Sequence, residues 1–187
     1  MVPPEKVLAV HGALDAAAIP HAVGGALALG LYGAPRETVD IDVNVFVGVE
    51  RWPEIAHALA PLGVGTDATV DVALDPEALT RDREARVAWA ANPVHLFFSY
   101  DELHAAMPTA VREVPFAGTT IPIVAPEHLV VRKAMLDRPK DWPDIEAILV
   151  ATEPLDLEEI EAWLELLAGP DDPRVTKMRE LAGRLLS

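Results

Sequence analysis

Apolar positions along this chain change their period several times, and each change marks an element. Val7, Val10, Leu14 and Ala17 recur at three- and four-residue spacing, which predicts a first helix over about 5–18, ended by Ile19-Pro20. Ala22-Val23 then reads as a short strand, Gly24-Gly25 as the turn after it, and 26–32 as a helical run. Over 39–47 the period becomes two. Val39, Ile41, Val43, Val45 and Val47 alternate with Asp40, Asp42, Asn44 and Phe46, which predicts a half-buried strand whose polar face begins with two acids. Helical spacing returns over 50–62, with Trp52, Ile55, Ala56 and Leu59 inward. Residues 66–74 read as a strand in which Asp67, Thr69 and Asp71 share a face, and Asp75-Pro76-Glu77 opens a short helix. Strands over 85–91 and 94–100 flank Asn92-Pro93, and strands over 110–116 and 120–124 flank Ala117-Gly118. From 126 onward the period is helical, with helices expected over 126–137, 142–151, 157–168 and 174–186. Asp156 with Glu159 and Asp172-Pro173 mark the last two starts.

Strands paired through tight turns, followed by helices, predict an α+β fold with a mixed sheet flanked by helices and further helices at the C-terminus. At 187 residues and 51% hydrophobic content the chain suits one substantial core. We expect a domain over 1–152, with 153–187 as a C-terminal helical extension of the same domain. Two stretches test for membrane or export signals. Pro3-Pro4-Glu5-Lys6 is a helix start, and Asp15 interrupts any signal-like core. Pro20 and Gly24-Gly25 break the apolar run 16–32. No membrane association is expected.

The formal net charge of −15 argues against general nucleic-acid binding, which needs clustered Lys and Arg. An anionic ligand would have to be held locally. With no cysteine in the chain, disulfides, thiolate metal sites and cysteine nucleophiles are excluded, and a cytoplasmic location is the expectation. The acids of the period-two strand carry the first chemical signal. Side chains at i and i+2 stand on one face roughly 7 Å apart, so Asp40 and Asp42 repel unless a cation lies between them, and a hard divalent ion such as Mg²⁺ would relieve this. Gly24-Gly25, at a strand-to-helix turn, allows close approach of a ligand, and free N–H groups there favour phosphate.

Gly24-Gly25 followed by Pro35-Arg36-Glu37-Thr38-Val39-Asp40-Ile41-Asp42 resembles the glycine pair and D-x-D signature of the DNA polymerase β-like nucleotidyltransferase superfamily. The R-x-T-x-D-I-D form looks like the AbiEii-like and minimal bacterial members. Within 125–149, a P-E-x-L helix with Lys133, followed by Arg138, Lys140, Asp141 and Asp144, resembles a second pattern of such families. The resemblance spans about 20–150. It implies a palm-like mixed sheet and Mg²⁺-dependent transfer of a nucleoside monophosphate from a nucleoside triphosphate to an acceptor hydroxyl of RNA, protein or a small molecule. Asp40 and Asp42 would be catalytic and hold the metal, as one ion or as two. Gly24, Gly25, Arg36, Thr38, Lys133, Lys140, Asp141 and Asp144 would bind the nucleotide.

His95, in Val94-His95-Leu96-Phe97-Phe98, occupies the position where many of these enzymes carry a third carboxylate. A neutral imidazole can act as a general base but brings no negative charge to a magnesium site; Asp71 and Asp101 are the other candidates. The alternative is a nucleotidyltransferase fold kept as an inactive binding or regulatory module with a partner protein, for example one component of a toxin–antitoxin pair. Spacing alone also allows structural roles: Lys133 as a solvated lysine beside an apolar stripe, Asp141 as an N-cap with Asp144 at N3, and Arg36 and Thr38 as turn residues.

Overall fold

In the computed structural model, which describes residues 2–33, 35, 37–65 and 76–185, the elements run α1 (Pro4–Ala16), β1 (His21–Val23), α2 (Gly25–Leu31), β2 (Ile41–Val45), α3 (Trp52–Leu59), α4 (Pro76–Asp82), β3 (Glu84–Val87), β4 (Val94–Phe98), α5 (Glu102–Ala110), β5 (Arg112–Phe116), β6 (Thr119–Ile123), α6 (Pro126–Leu136), α7 (Asp141–Ala151), α8 (Leu157–Ala168) and α9 (Pro173–Leu185). The strand expected over 66–74 and its Asp71 lie outside the described residues. The chain divides into two units, Met1–Leu27 with Glu37–Val124 and Ala28–Arg36 with Ala125–Ser187. Thus α6 and α7 group with the two C-terminal helices.

The first unit holds one six-stranded mixed sheet in the order β3-β4-β2-β1-β6-β5. β1 is antiparallel to β2 and parallel to β6. β2 is parallel to β4, and β3 and β5 are antiparallel edges on β4 and β6. The period-two pattern has the consequence expected of it. Ile41, Val43 and Val45, Val94, Leu96 and Phe98, and Ala85 and Val87 are all buried, while Asp42, His95, Glu84 and Arg86 alternate with them on the other face. Val7, Val10 and Leu14 of α1 and Ile55 and Leu59 of α3 are buried as the helical spacing predicted, with α1 packed on α3 and β1.

Asn92-Pro93 does more than turn β3 into β4. The Asn92 side-chain amide donates to the Val39 carbonyl at 3.1 Å, and the Ile41 N–H donates to the Pro93 carbonyl at 2.9 Å. The entry to the acidic strand is thereby fixed to the hairpin. α5 was not legible in the sequence because Pro108 lies inside it and reads as a breaker; tertiary burial of Leu103, His104 and Met107 outweighs that local penalty.

In the second unit α6 packs on α7 and α8, and α9 on α7 and α8. Asp156 caps α8, its carboxylate accepting the Glu159 N–H at 2.9 Å, as the sequence predicted. Among the described residues no helix is long and apolar enough to cross a membrane.

Candidate active site

β1 runs directly into Gly24, whose N–H donates to the Asp42 carbonyl at 2.9 Å and continues the β1–β2 pairing. That N–H is therefore engaged by backbone and is not the phosphate donor the sequence suggested; the need for glycine here is steric. A Cβ on Gly24 would lie 2.6 Å from Asn44 Nδ2. Gly25 is constrained twice. Its φ is +55°, and a Cβ would lie 1.8 Å from Asp42 Oδ2 and 2.7 Å from Asp42 Cβ, so the Asp42 carboxylate is laid over the bare backbone of the turn. Gly25→Ala is expected to cost about 1–2 kcal/mol for the left-handed conformation and to push Asp42 out of its position. Urea unfolding and a Mn²⁺ titration of the variant measure the two effects; a fully stable variant with unaltered metal affinity would show that the contact does not matter.

Asp40 stands just before β2. The Thr38 hydroxyl accepts its N–H at 3.2 Å, a local turn that sets the approach to the strand. Its carboxylate Oδ1 accepts from Arg86 of β3 at 2.9 Å. Arg86 thus supplies the counter-charge next to the acid pair, although the sequence drew attention to other cations. Asp42 is paired in register with His95 on β4. His95 Nδ1 lies 3.7 Å from Asp42 Oδ1, and its Nε2 lies 3.2 Å from Glu84 Oε2. The imidazole rests against the Phe97 ring, with centroids 4.2 Å apart. One face of three adjacent strands therefore presents Asp42, His95, Glu84 and Arg86 together. Glu84 and Arg86 were missed; the available signal was the alternation Glu84-Ala85-Arg86-Val87 leading into a hairpin, which puts both polar residues on the His95 face.

Asp101 has a different task. It follows the far end of β4, caps α5 by accepting the His104 N–H at 2.8 Å, and contacts His104 Nδ1 at 2.5 Å. Of His95 and Asp101, it is His95 that stands beside Asp42. Arg36, like Asp71, lies outside the described residues.

The downstream residues form their own group within the second unit. Lys133 is buried, with its ammonium 2.6 Å from Asp144 Oδ2 and 3.8 Å from Asp141 Oδ1. It is not the solvated lysine that spacing allowed. Asp141 accepts from the Arg138 backbone N–H at 3.2 Å and from its guanidinium at 2.7 and 3.0 Å. The N-cap of α7 is Lys140, and Asp141 is the first helical residue. Burial pushes the Asp141 carboxyl up, but hydrogen bonds from Arg138 and the charges of Arg138 and Lys133 outweigh it and hold the group below the usual aspartate range. Lys140 is exposed.

For a divalent ion the donors at hand are the carboxylates of Asp40 and Asp42, with the His95 imidazole beside the second of them. Among the described residues no three His, Asp or Glu side chains converge as a ready-made cage. Magnesium needs none, since it is usually bound through one or two carboxylates and completes its octahedron with water and phosphate oxygens. Asp40 and Asp42, the latter held over Gly25, fit that requirement.

The six-stranded mixed sheet with its flanking helices is the nucleotidyltransferase fold. Among solved structures, the antibiotic-resistance factor ANT(2'')-Ia aligns over 97% of both chains with a TM-score of 0.60 and 17% identity. ANT(2'')-Ia in complex with adenylyl-2''-tobramycin gives 0.57 at 17% identity over 95% of this chain and 97% of that one. The lincomycin-bound lincosamide antibiotic adenylyltransferase LnuA gives 0.55 at 12% identity, covering 81% of this chain and 99% of its own. No family model and no curated protein matches the sequence.

Proposed function

We propose that this chain transfers a nucleoside monophosphate from a nucleoside triphosphate to an acceptor hydroxyl, with Mg²⁺ held by Asp40 and Asp42. The observation that carries the reading is local: Asp42 laid over the Gly25 turn and set opposite His95 in a parallel strand pair, on a nucleotidyltransferase sheet. The ion would offset charge on the phosphates and favour in-line displacement. Gly25 leaves room for the Asp42 carboxylate to stand where it would hold the ion. Thr38 holds the approach to Asp40. His95 takes the proton of the attacking hydroxyl. Arg36 and Lys140 are the cations assigned to the triphosphate, and Lys133 with Asp141 and Asp144 forms the group that the sequence resemblance associates with the same ligand.

The acceptor class follows from charge. A net charge of −15 disfavours a polyanionic acceptor such as RNA and favours a neutral or cationic small molecule. The solved relatives with bound tobramycin product and lincomycin support the same class. The test is label transfer from α-labelled ATP, CTP, GTP and UTP, with and without Mg²⁺, to tobramycin, lincomycin, RNA and protein. Metal-dependent labelling of a small-molecule hydroxyl is expected. Binding of triphosphate without transfer to any acceptor would instead select the inactive binding module, a reading that the imidazole at the third position favours.

A further inference from the structure

The edge strand β3 is short, and both of its outward side chains are turned toward the acid row: Arg86 contacts Asp40 at 2.9 Å and Glu84 contacts His95 at 3.2 Å. The second contact has a chemical consequence. A neutral imidazole carries one N–H, and its position decides which nitrogen can accept a proton. His95 has a carboxylate on each side, with Glu84 at 3.2 Å from Nε2 and Asp42 at 3.7 Å from Nδ1. The closer acid faces Nε2, so the N–H is favoured there. The lone pair is left on Nδ1, toward Asp42 and the Gly25 turn.

We propose that Glu84 is the positioning residue for His95. It supplies the carboxylate absent from β4, displaced by one strand to the sheet edge and acting through the imidazole. This rests on the transferase reading above. As the acceptor oxygen bonds to the α-phosphorus and the bond to pyrophosphate breaks, the hydroxyl proton passes to Nδ1. Glu84 meanwhile retains the Nε2 proton by charge-assisted contact and balances the imidazolium that forms. The proton on Nδ1 then leaves to solvent. Phe97, packed on the ring, limits its rotation. Glu84 is exposed on an edge strand, so its substitution leaves the core untouched.

The experiment is Glu84→Gln in the full chain, with two readouts. In alkaline buffer, where the imidazoles are neutral, the ¹⁵N spectrum of His95, assigned by comparison with His95→Gln, should show the Nε2–H tautomer in wild type and a mixture in Glu84→Gln. With Mg²⁺, α-labelled ATP and the acceptor labelled in the assay above, kcat should fall about 10–100-fold, the range known for losing a carboxylate that orients a metal-ligating histidine, while the KM for ATP stays unchanged. Wild type that transfers label while the tautomer or kcat is unmoved by Glu84→Gln overturns the dyad and leaves the transferase reading in place. Wild type that transfers label to no acceptor overturns the transferase reading, and the catalytic role of Glu84 with it, whatever the tautomer.

Discussion

Asp42→Asn is expected to abolish Mg²⁺-dependent triphosphate binding and to leave thermal stability unchanged or raised. The amide has the shape of the acid but no charge, so it still fits over Gly25, where the contact is set by volume. The repulsion between neighbouring carboxylates disappears with the charge. Asp40 is then the one acid of the pair left, and Arg86, 2.9 Å from its Oδ1, competes with a metal for the same oxygen. Calorimetric titration of both proteins with ATP, in Mg²⁺ and in EDTA, separates metal-dependent from metal-independent affinity, and a thermal melt gives the stability. Equal Mg²⁺-dependent affinity in the two would remove Asp42 from the site. A large loss of stability would mean that its charge is needed by the fold.

Lys133→Met should have the largest effect on stability. The lysine is buried against Asp144 at 2.6 Å and near Asp141, and removing one charged partner from a buried ion pair costs about 3–5 kcal/mol, even with the Arg138 guanidinium still on Asp141. Urea unfolding at neutral pH measures it. If the ammonium also meets phosphate, triphosphate affinity should fall by about 1.5–3 kcal/mol when measured where the variant is still folded; an unchanged affinity assigns Lys133 to the fold alone. The same group predicts an acid limit. Asp141 is held below its ordinary range once the pull of Arg138 and Lys133 outweighs burial, so its contribution is fully present above the unfolded value of about 4 and is lost as pH falls through the lower folded value. Lys133→Met and Arg138→Ala should each weaken that acid dependence.

What the sequence disclosed and what it withheld divide along a physical line. Local periodicity is enough to find β2, β4, the β5–β6 hairpin and the C-terminal helices, because each buries one face and shows it in its own residues. The Gly25–Asp42 contact was legible only as a spacing, since the sequence does not say that a carboxylate will lie on the glycine. Glu84 and Arg86 were hidden for a different reason. Their relation to His95 and Asp40 is a matter of strand order, and a sequence does not state that β4 will lie between β3 and β2. α5 was missed because Pro108 argues locally against a helix that burial sustains, and spacing left a solvated Lys133 open because one apolar stripe says nothing about what packs over its border.

The strand order also sets when the acids meet. β1 lies between β2 and β6, and β2 takes its other neighbour, β4, in parallel from across the intervening α3 and α4. A parallel pair must close a long loop before any contact rewards it, so such pairings form slowly. On a ribosome, β1 would wait for residue 123 before its second neighbour existed. The second unit has many contacts between helices adjacent in sequence, α6 with α7 and α8 with α9, and should acquire amide protection early. Asp42, His95 and Glu84 come into line only when the slow register closes, so the repulsion between the acids is felt at the end of folding, and a chain halted before that point carries no assembled acid row at all.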